Sequence, residues 1–197
     1  MISPALPKEM HSHHYPLLYK VEESHWWYVG RRKLLSTFVA DIRNESGKDL
    51  AILDVGCGTG ANLKMLNDFG TTEGVDISEQ ALEFCRERGL NQVRQGAVES
   101  LPYPDESFDL VTALDVLEHL DDDAAGLKEI YRVLRPHGYA LFFVPAFMFL
   151  WGVQDDVSNH RRRYSKQQFR QTVTASGLHI ETLADLTVRG RGNDRSP

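Results

Sequence analysis

Short apolar runs alternate with amphipathic segments along most of the chain. Continuous apolar runs are typical of strands buried on both faces, and apolar residues three and four positions apart are typical of helices. The predicted strands are residues 51–55, 73–76, 91–95, 108–114, 139–144 and 178–183. The predicted helices lie at 62–69, between Ser78 and Gly89, at 123–134 and at 165–176, with Gly70 ending the first of them. This alternation predicts an α/β fold, a doubly wound and mainly parallel sheet with helices on both faces.

The two ends of the chain differ from this pattern. Residues 1–16 carry three prolines and a histidine cluster and predict a loose arm, whereas 17–45 predict a helical cap with aromatic anchors. Residues 46–186 form the main predicted domain. The stretch 187–197 has no apolar periodicity and predicts a disordered tail. Because no seventh strand can be identified after Leu186, we expect an incomplete seventh strand and an exposed sheet edge.

Composition narrows the classes of function. The chain has 197 residues and a formal net charge of −6, which disfavours a nucleic-acid binder, since such domains are usually basic. Cys57 and Cys85 have no disulfide or zinc spacing and suit a reducing compartment. The most apolar run, 140–153, is interrupted by Pro145 and is too short to span a membrane. The start of the chain lacks the apolar core of a secretion signal. We therefore expect a cytoplasmic protein with no membrane span and no DNA partner.

The run LDVGCGTGANL predicts a ligand site. A glycine loop between a strand and a helix presents free backbone N–H groups, and ligands of doubly wound sheets bind at the carboxyl ends of the strands. Gly56, Gly58 and Gly60 follow a G-x-G-x-G spacing rather than the G-x-G-x-x-G of dinucleotide sites. Asp54 at the strand tip would repel a pyrophosphate, and Asp76 stands where an acidic residue meets ribose hydroxyls. Together they favour an adenosine ligand with a cationic tail.

Four segments, LDVGCGTG, GVDIS, ESLPYPDESFDLVTALDVLEHL and LRPHGYALFFVPA, resemble the successive motifs of class I S-adenosylmethionine-dependent methyltransferases. The resemblance covers about residues 50–183 and implies the seven-stranded methyltransferase variant of the doubly wound fold. It implies that the methionine part is held by Asp54, Gly56, Gly58 and Gly60, the ribose by Asp76, and the adenine by Ile77 and Val98. It also implies that Asp115 faces the methionine part and the reacting methyl group.

Two positions bear on the ligand and the acceptor. Ala97 stands where the family often has an acidic residue that accepts from the adenine amino group, so adenine recognition is expected to rest on backbone or water. After the fourth strand the sequence reads ALDV instead of the tetrapeptide of adenine-N6 methyltransferases. With the acidic net charge, this disfavours a DNA base as the acceptor.

The segment HWWYVGRRKLL, residues 25–35, has two interpretations. It can be a helix that packs its aromatic residues on the sheet edge. It can also be a lid over the cofactor, with Arg31 or Arg32 pairing the methionine carboxylate. The segment resembles the N-terminal helix of bacterial methyltransferases found with glycan and lipid pathways.

The run DVLEHL places Asp115, Glu118 and His119 on one face of a helical turn, and His160 lies downstream. Two carboxylates and two histidines can hold a divalent cation, and the run resembles the metal motif of small-RNA 2′-O-methyltransferases. The simpler interpretation is that the Glu–His pair ends the strand and begins the next turn. We favour the simpler one and predict no metal, at this run or at the early HSHH cluster.

The run HRRRY follows an aromatic loop after the fifth strand, where this fold borders its substrate pocket. His160 and Tyr164 are therefore candidates to orient or deprotonate an acceptor, unless the run is only a solvated basic stretch. We predict transfer of the S-adenosylmethionine methyl group to an O or N of a small-molecule or lipid- or glycan-linked acceptor. The alternatives are a non-catalytic cofactor-binding module and a nicotinamide-dependent oxidoreductase.

Overall fold

The structure, a computed structural model, describes residues 14–184 and 188–192. Helices and strands alternate as the apolar pattern predicts. The helices are α1 (His14–Val21), α2 (Trp26–Ser46), α3 (Ala61–Leu66), α4 (Glu79–Glu87), α5 (Asp123–Val133), α6 (Val153–Val157) and α7 (Lys166–Ala175). The strands are β1 (Leu50–Val55), β2 (Gly70–Asp76), β3 (Val93–Gln95), β4 (Phe108–Leu114), β5 (Leu134–Phe143), β6 (Leu178–Leu183) and β7 (Val188–Gly192).

The strands form one seven-stranded sheet in the order β3-β2-β1-β4-β5-β7-β6. The first five strands pair in parallel, and β7 pairs antiparallel with both β5 and β6. The winding reverses between β1 and β4, which is the switch point where doubly wound sheets bind ligands. The predicted α/β doubly wound fold is confirmed.

The expectation of an incomplete seventh strand and a disordered tail is wrong for Val188–Gly192. These residues form β7, which fills the space between β5 and β6. The segment VRGRG has no apolar run because its place in the sheet is held by backbone hydrogen bonds to two neighbours, and composition alone does not reveal such pairing. The rest of the predicted tail, 185–187 and 193–197, lies outside the described residues.

The alternation of side chains along the strands separates two apolar layers. On one face, residues such as Val111 and Phe142 pack in the cluster that includes α5 and α7. On the other face, the intervening residues such as Leu110 and Leu141 pack in the cluster that includes α2. Because α2 contributes fully buried residues to this second cluster, it belongs to the core of the domain.

The predicted loose arm is wrong for its last residues. α1 begins at His14, and Tyr15 is buried. The remainder of that arm, residues 1–13, lies outside the described residues. The N-terminal helical segment therefore begins earlier than the proline content predicts.

The predicted end of one helix also changes. α3 ends at Leu66, and Gly70 begins β2 instead of ending the helix. Glycine is required there because a Cβ would lie 2.0 Å from the carbonyl oxygen of Leu50. Ser78 precedes α4 but makes no capping bond through its side chain, whereas the side chain of Ser165 caps α7 by accepting from the Gln168 amide.

Among the helices in the described ranges, none combines the length and the apolar character needed to cross a bilayer.

Candidate cofactor and acceptor site

A cavity of about 960 Å³ opens at the carboxyl ends of the central strands. It is bounded by α1 and α2 on one side and by the segment after β5 on another. Most of the residues that the sequence singled out meet here, although they come from distant parts of the chain. The predicted residues that line it are Gly56, Gly58, Asp76, Ile77, Val98, Asp115 and His160.

The glycine loop joins β1 to α3, and its glycines have different roles. Gly56 and Gly58 have φ of 66° and 54°, in the left-handed region that favours glycine. A Cβ on Gly56 would lie 2.5 Å from Val116 Cγ2, whereas a Cβ on Gly58 would meet no protein atom within 4 Å. Gly58 therefore leaves space for a ligand against its backbone.

Gly60 lies outside the cavity lining, in contrast to its predicted role on the methionine part. It precedes α3 with φ of 89°, and a Cβ there would lie 2.8 Å from Leu90 Cδ1 and 3.0 Å from Cys85 Sγ. The third glycine is thus required by the close packing of the loop against α4.

The two strand-end aspartates have different environments. Asp76 lines the cavity, where Oδ2 accepts from the Gly58 amide at 2.8 Å and Oδ1 accepts from the Ser78 amide at 2.9 Å. Asp54 is buried beneath the loop and outside the lining residues, and its Oδ1 accepts from Thr112 Oγ1 at 2.6 Å. Burial raises the pKa of Asp54 to about 7. The structure therefore places Asp76, but not Asp54, where a ligand can touch it.

The segment after β3 supplies an acidic residue that the sequence analysis missed. Ala97 has no acceptor side chain, but Glu99 stands two positions later and also lines the cavity. Its Oε2 is buried without a hydrogen-bond partner among the described residues. Glu99 was not predicted because the family resemblance marks only the position of Ala97 as an acidic site.

The amino-terminal part of α2 reaches the cavity and carries Trp27, Tyr28, Arg31 and Arg32 to its wall. The Arg31 guanidinium donates to the carboxylate of Asp115 and lies 5.0 Å from the centre of the Phe143 ring. α2 packs on the sheet through Leu35, Val39 and Ile42, whereas Trp26 and Trp27, which were expected to pack there in one interpretation, are exposed. The lid role of this segment stays a prediction.

α1 is tied to the glycine loop by a buried ionic cluster that the sequence did not reveal. Glu22 accepts from the hydroxyl of Thr59 and from Arg88 Nη2, the latter at 2.6 Å. Arg88 also donates through Nε to the Thr59 carbonyl at 2.8 Å, and its guanidinium lies 4.3 Å from the Tyr19 ring centre. Burial raises the pKa of Glu22. In the sequence, Arg88 only precedes a helix-ending glycine, so no local pattern marks it.

A group of ionisable side chains lies on the acceptor side of the cavity. His119 and His160 line it, and their rings meet edge to face with centroids 4.8 Å apart. Glu118 is fully buried behind them, and burial raises its pKa well above the ordinary range. Burial lowers the pKa of His119 to about 4, so its imidazole is neutral at pH 7.

His160 is held in place by a buried carboxylate. Asp155 Oδ1 lies 2.8 Å from His160 Nδ1, and Arg163 binds both oxygens of Asp155 at 2.8 and 2.9 Å. The hydrogen bond from Arg163 holds the pKa of Asp155 well below its usual range. Because Asp155 is ionised, it favours the His160 tautomer with the proton on Nδ1, which leaves Nε2 as an acceptor.

The structure does not bring Tyr164 to the cavity wall. Its ring is buried, and its hydroxyl lies 2.7 Å from Asp123 Oδ2 and 3.2 Å from the Leu117 carbonyl. Burial raises the pKa of the Tyr164 hydroxyl well above its usual range. A buried hydroxyl with these partners holds the loop in place and is unsuited to deprotonate an acceptor.

Cys57 lines the cavity, but a hydrogen bond with Cys85 and burial raise its pKa well above the ordinary range, in keeping with a non-nucleophilic role.

Large apolar side chains are exposed around this region. Three of them line the cavity and are also exposed to solvent: Leu17, Trp27 and Val157. Further exposed apolar residues follow β5 or begin α2, and Phe149 is 81% exposed. We call this set the apolar rim: Leu17, Trp26, Trp27, Met148, Phe149, Leu150, Val153 and Val157.

Comparison with known proteins finds a methyltransferase domain in the chain. Residues 53–142 match a methyltransferase domain family. A probable S-adenosylmethionine-dependent methyltransferase of Mycolicibacterium smegmatis is 31% identical over 161 residues, which cover 75% of this chain and 62% of the relative. A fatty-acid O-methyltransferase of the same organism is 38% identical over 98 residues, which cover 46% of this chain and 35% of the relative. The chain thus spans about half the length, or less, of several curated relatives that it matches.

Solved structures show the same fold. An S-adenosylmethionine-dependent methyltransferase from Mesorhizobium loti superposes with a TM-score of 0.63 at 20% identity, covering 72% of this chain and 90% of that one. The residues at the switch point fit the cofactor of such enzymes, because the protein-free space at Gly58 adjoins the carboxylate of Asp76. The chain therefore contains a methyltransferase domain on the fold of the class I S-adenosylmethionine-dependent enzymes, which implies S-adenosylmethionine as the cofactor.

Proposed function

We propose that the protein transfers the methyl group of S-adenosylmethionine to an oxygen or nitrogen of an apolar, small-molecule or lipid-linked acceptor. The observation that carries this proposal is one cavity lined by residues at the cofactor positions of the family, by a pair of histidines and by three residues of the apolar rim, Leu17, Trp27 and Val157. S-adenosylmethionine supplies a methyl group on a sulfonium that is already activated. The work left to the chain is to bind, to orient and to exclude water.

The cofactor half of the site has a role for each side chain. Asp76 is fixed by two backbone amides, and its carboxylate is the acceptor that we assign to the ribose hydroxyls. Ile77 and Val98 offer apolar contacts to adenine. The unpartnered Oε2 of Glu99 is the acceptor that we assign to the adenine amino group, in place of the acid missing at Ala97. We assign Asp54 no direct contact with the cofactor, because it is buried below the loop and bound to Thr112.

The methionine end faces Asp115 and Arg31. In the structure, the two side chains form an ion pair and neutralise each other's charge. A zwitterionic methionine part offers an ammonium for Asp115 and a carboxylate for Arg31. We therefore expect the two side chains to exchange their mutual contact for contacts with the cofactor, which would place α2 as one wall of the bound site.

The acceptor half is apolar at its mouth and polar at its base. Exposed side chains as large as Trp27 and Val157 at a cavity mouth are typical of a binding surface for apolar groups. The fatty-acid acceptor named for the Mycolicibacterium smegmatis relative agrees with this chemistry. At the base, His160 lines the cavity and is oriented by Asp155 through Nδ1. We assign it the role of orienting the acceptor and assisting loss of its proton.

Calorimetric titration with S-adenosylhomocysteine, with NADH as the control, tests the cofactor half. We expect one site of micromolar affinity for the former and none for the latter, and weaker binding in Glu99→Ala. Radiolabelled methyl transfer to carboxylic acids and phenols of increasing alkyl length tests the acceptor half. We expect kcat/KM to rise with chain length, and Trp27→Ala to reduce that rise.

Three outcomes would overturn the proposal. Binding of S-adenosylhomocysteine with no transfer to any acceptor would favour a non-catalytic binding module. Binding of NADH alone would favour an oxidoreductase. Transfer that prefers the shortest, most polar acceptors would remove the apolar rim from the acceptor site.

A further inference from the structure

Three side chains on the acceptor side of the cavity converge on one point. Glu118, His119 and His160 each offer a ligand atom, and these atoms all lie within 4.8 Å of one another. Two ligand atoms about 2.1 Å from a shared cation lie roughly 3 to 4 Å apart. Small rotations of the side chains would therefore bring all three onto one ion.

Among the described residues, the side chain of Glu118 has no hydrogen-bond partner. It is 0% exposed, and neither side-chain oxygen has a hydrogen bond within the described part of the chain. Nε2 of His160 lies 4.0 Å from Oε1 of Glu118, too far for a hydrogen bond. A buried carboxyl group without a hydrogen bond is costly, so the two unsatisfied oxygens of Glu118 beside two imidazoles point to a ligand that these side chains bind together.

His160 has the support that metal-binding histidines usually have. Asp155 fixes Nδ1 and turns Nε2 toward Glu118, and Arg163 in turn fixes Asp155. Such a carboxylate behind a histidine sets the ring orientation and the tautomer that a cation needs. The edge-to-face contact with His119 positions the second imidazole beside the first.

The ligand set selects the type of cation. Two imidazoles and one carboxylate suit Zn²⁺ and its first-row neighbours, whereas Mg²⁺ and Ca²⁺ prefer oxygen ligands alone. Three protein ligands also leave at least one coordination position open, as in catalytic sites. Because His119 and His160 both line the cavity, that position faces the acceptor.

We propose that Glu118, His119 and His160 bind one divalent transition-metal cation, with its open position toward the acceptor. This differs from our sequence-based prediction of no metal, because the burial of Glu118 and the support of His160 by Asp155 were not visible in the sequence. On the proposed function, the cation takes an acceptor oxygen as a ligand and lowers the pKa of its proton. Cation binding itself does not depend on that function.

The test is a titration of the full chain, without an affinity tag and treated with a chelator, using Zn²⁺ by calorimetry and Co²⁺ by visible absorption. We expect one cation per chain and Co²⁺ bands typical of mixed nitrogen and oxygen ligands. Glu118→Gln and His160→Ala should each weaken cation binding about 10-fold to 100-fold. His179→Ala, an exposed histidine on β6, is the matched control and should leave binding unchanged.

Circular dichroism of each variant separates loss of a ligand from loss of the fold. A stoichiometry of zero in the folded wild-type chain would overturn the proposal. Binding that survives Glu118→Gln and disappears in His11→Ala/His13→Ala would overturn it too, because the cation would then belong to the N-terminal histidines. Titration of the same samples with S-adenosylhomocysteine distinguishes this proposal from the proposed function, since either ligand can bind when the other does not.

Discussion

The guanidinium of Arg31 pairs with the carboxylate of Asp115, 84 positions later in the chain, and this pair joins α2 to the end of β4 across the cavity. Both residues line the space in which the methionine part of the cofactor is expected. The pair therefore marks the point where cofactor binding and the position of α2 are coupled.

Replacement of Arg31 tests this coupling. Arg31→Met keeps an apolar stem beside Phe143 but removes a charge-assisted hydrogen bond to the cofactor carboxylate. We expect affinity for S-adenosylhomocysteine to fall about 10-fold, which corresponds to about 1.4 kcal/mol. The measurement is calorimetric titration, with Lys33→Met, at an exposed position of α2 outside the cavity lining, as the matched control. An unchanged or tighter complex with Arg31→Met would show that Arg31 serves only Asp115.

Asp76 is expected to dominate recognition of the ribose. Asp76→Ala removes a carboxylate that lines the cavity, and the loss of its hydrogen bonds to ribose hydroxyls should weaken cofactor binding by about 1–3 kcal/mol. Because Asp76 also accepts from the amides of Gly58 and Ser78, thermal unfolding of the variant must be compared in parallel. Asp68→Ala, at an exposed position, is the control. Unchanged affinity in a folded Asp76→Ala variant would remove Asp76 from the site.

The buried carboxyl of Asp54 predicts a pH dependence of stability. Its pKa is raised from 3.8 to about 7, so the folded state holds the proton while the unfolded state has already lost it. The free energy of unfolding should therefore fall as the pH rises from about 4 to about 7, by about 4 kcal/mol from this group. Asp54→Asn keeps the contact with Thr112 and should remove this part of the slope. Urea denaturation at several pH values measures the free energy of unfolding. An equal change of this free energy with pH in the wild-type chain and in Asp54→Asn would contradict the prediction.

His160 is expected to act on the acceptor and not on the cofactor. His160→Ala should lower kcat/KM about 100-fold, whether the imidazole deprotonates the acceptor or binds a cation. Affinity for S-adenosylhomocysteine should remain nearly unchanged, because Asp76 and the glycine loop are untouched. His179→Ala is again the control. A loss of cofactor affinity in His160→Ala would mean that the segment after β5 contacts the cofactor instead.

The sequence predicted those parts of the molecule whose signals are local. The strands with continuous apolar runs, such as 108–114, were found because strands buried on both faces need such runs. The glycine loop and Asp76 were found because a strand, a turn and a helix lie next to one another in the chain.

Features that depend on distant contacts were missed. The cluster of Glu22, Thr59 and Arg88 joins three separate segments, and none of them carries a pattern that marks the others. The role of Gly60 is decided by the side chains of α4 that pack against it, not by the loop itself. Glu118 looked like a helix-start residue because its complete burial arises only when the segment after β5 covers it.

The position of β7 has a consequence for synthesis of the chain on the ribosome. β7 follows β6 in the sequence but lies between β5 and β6 in the sheet. A nascent chain that has not yet released Val188–Gly192 exposes an unpaired edge on β5 and leaves β6 without a neighbour. The amino-terminal five strands can assemble co-translationally, whereas closure of the sheet must wait for these residues. During that interval, the open edge of β5 is the surface that a chaperone would need to shield from other nascent chains.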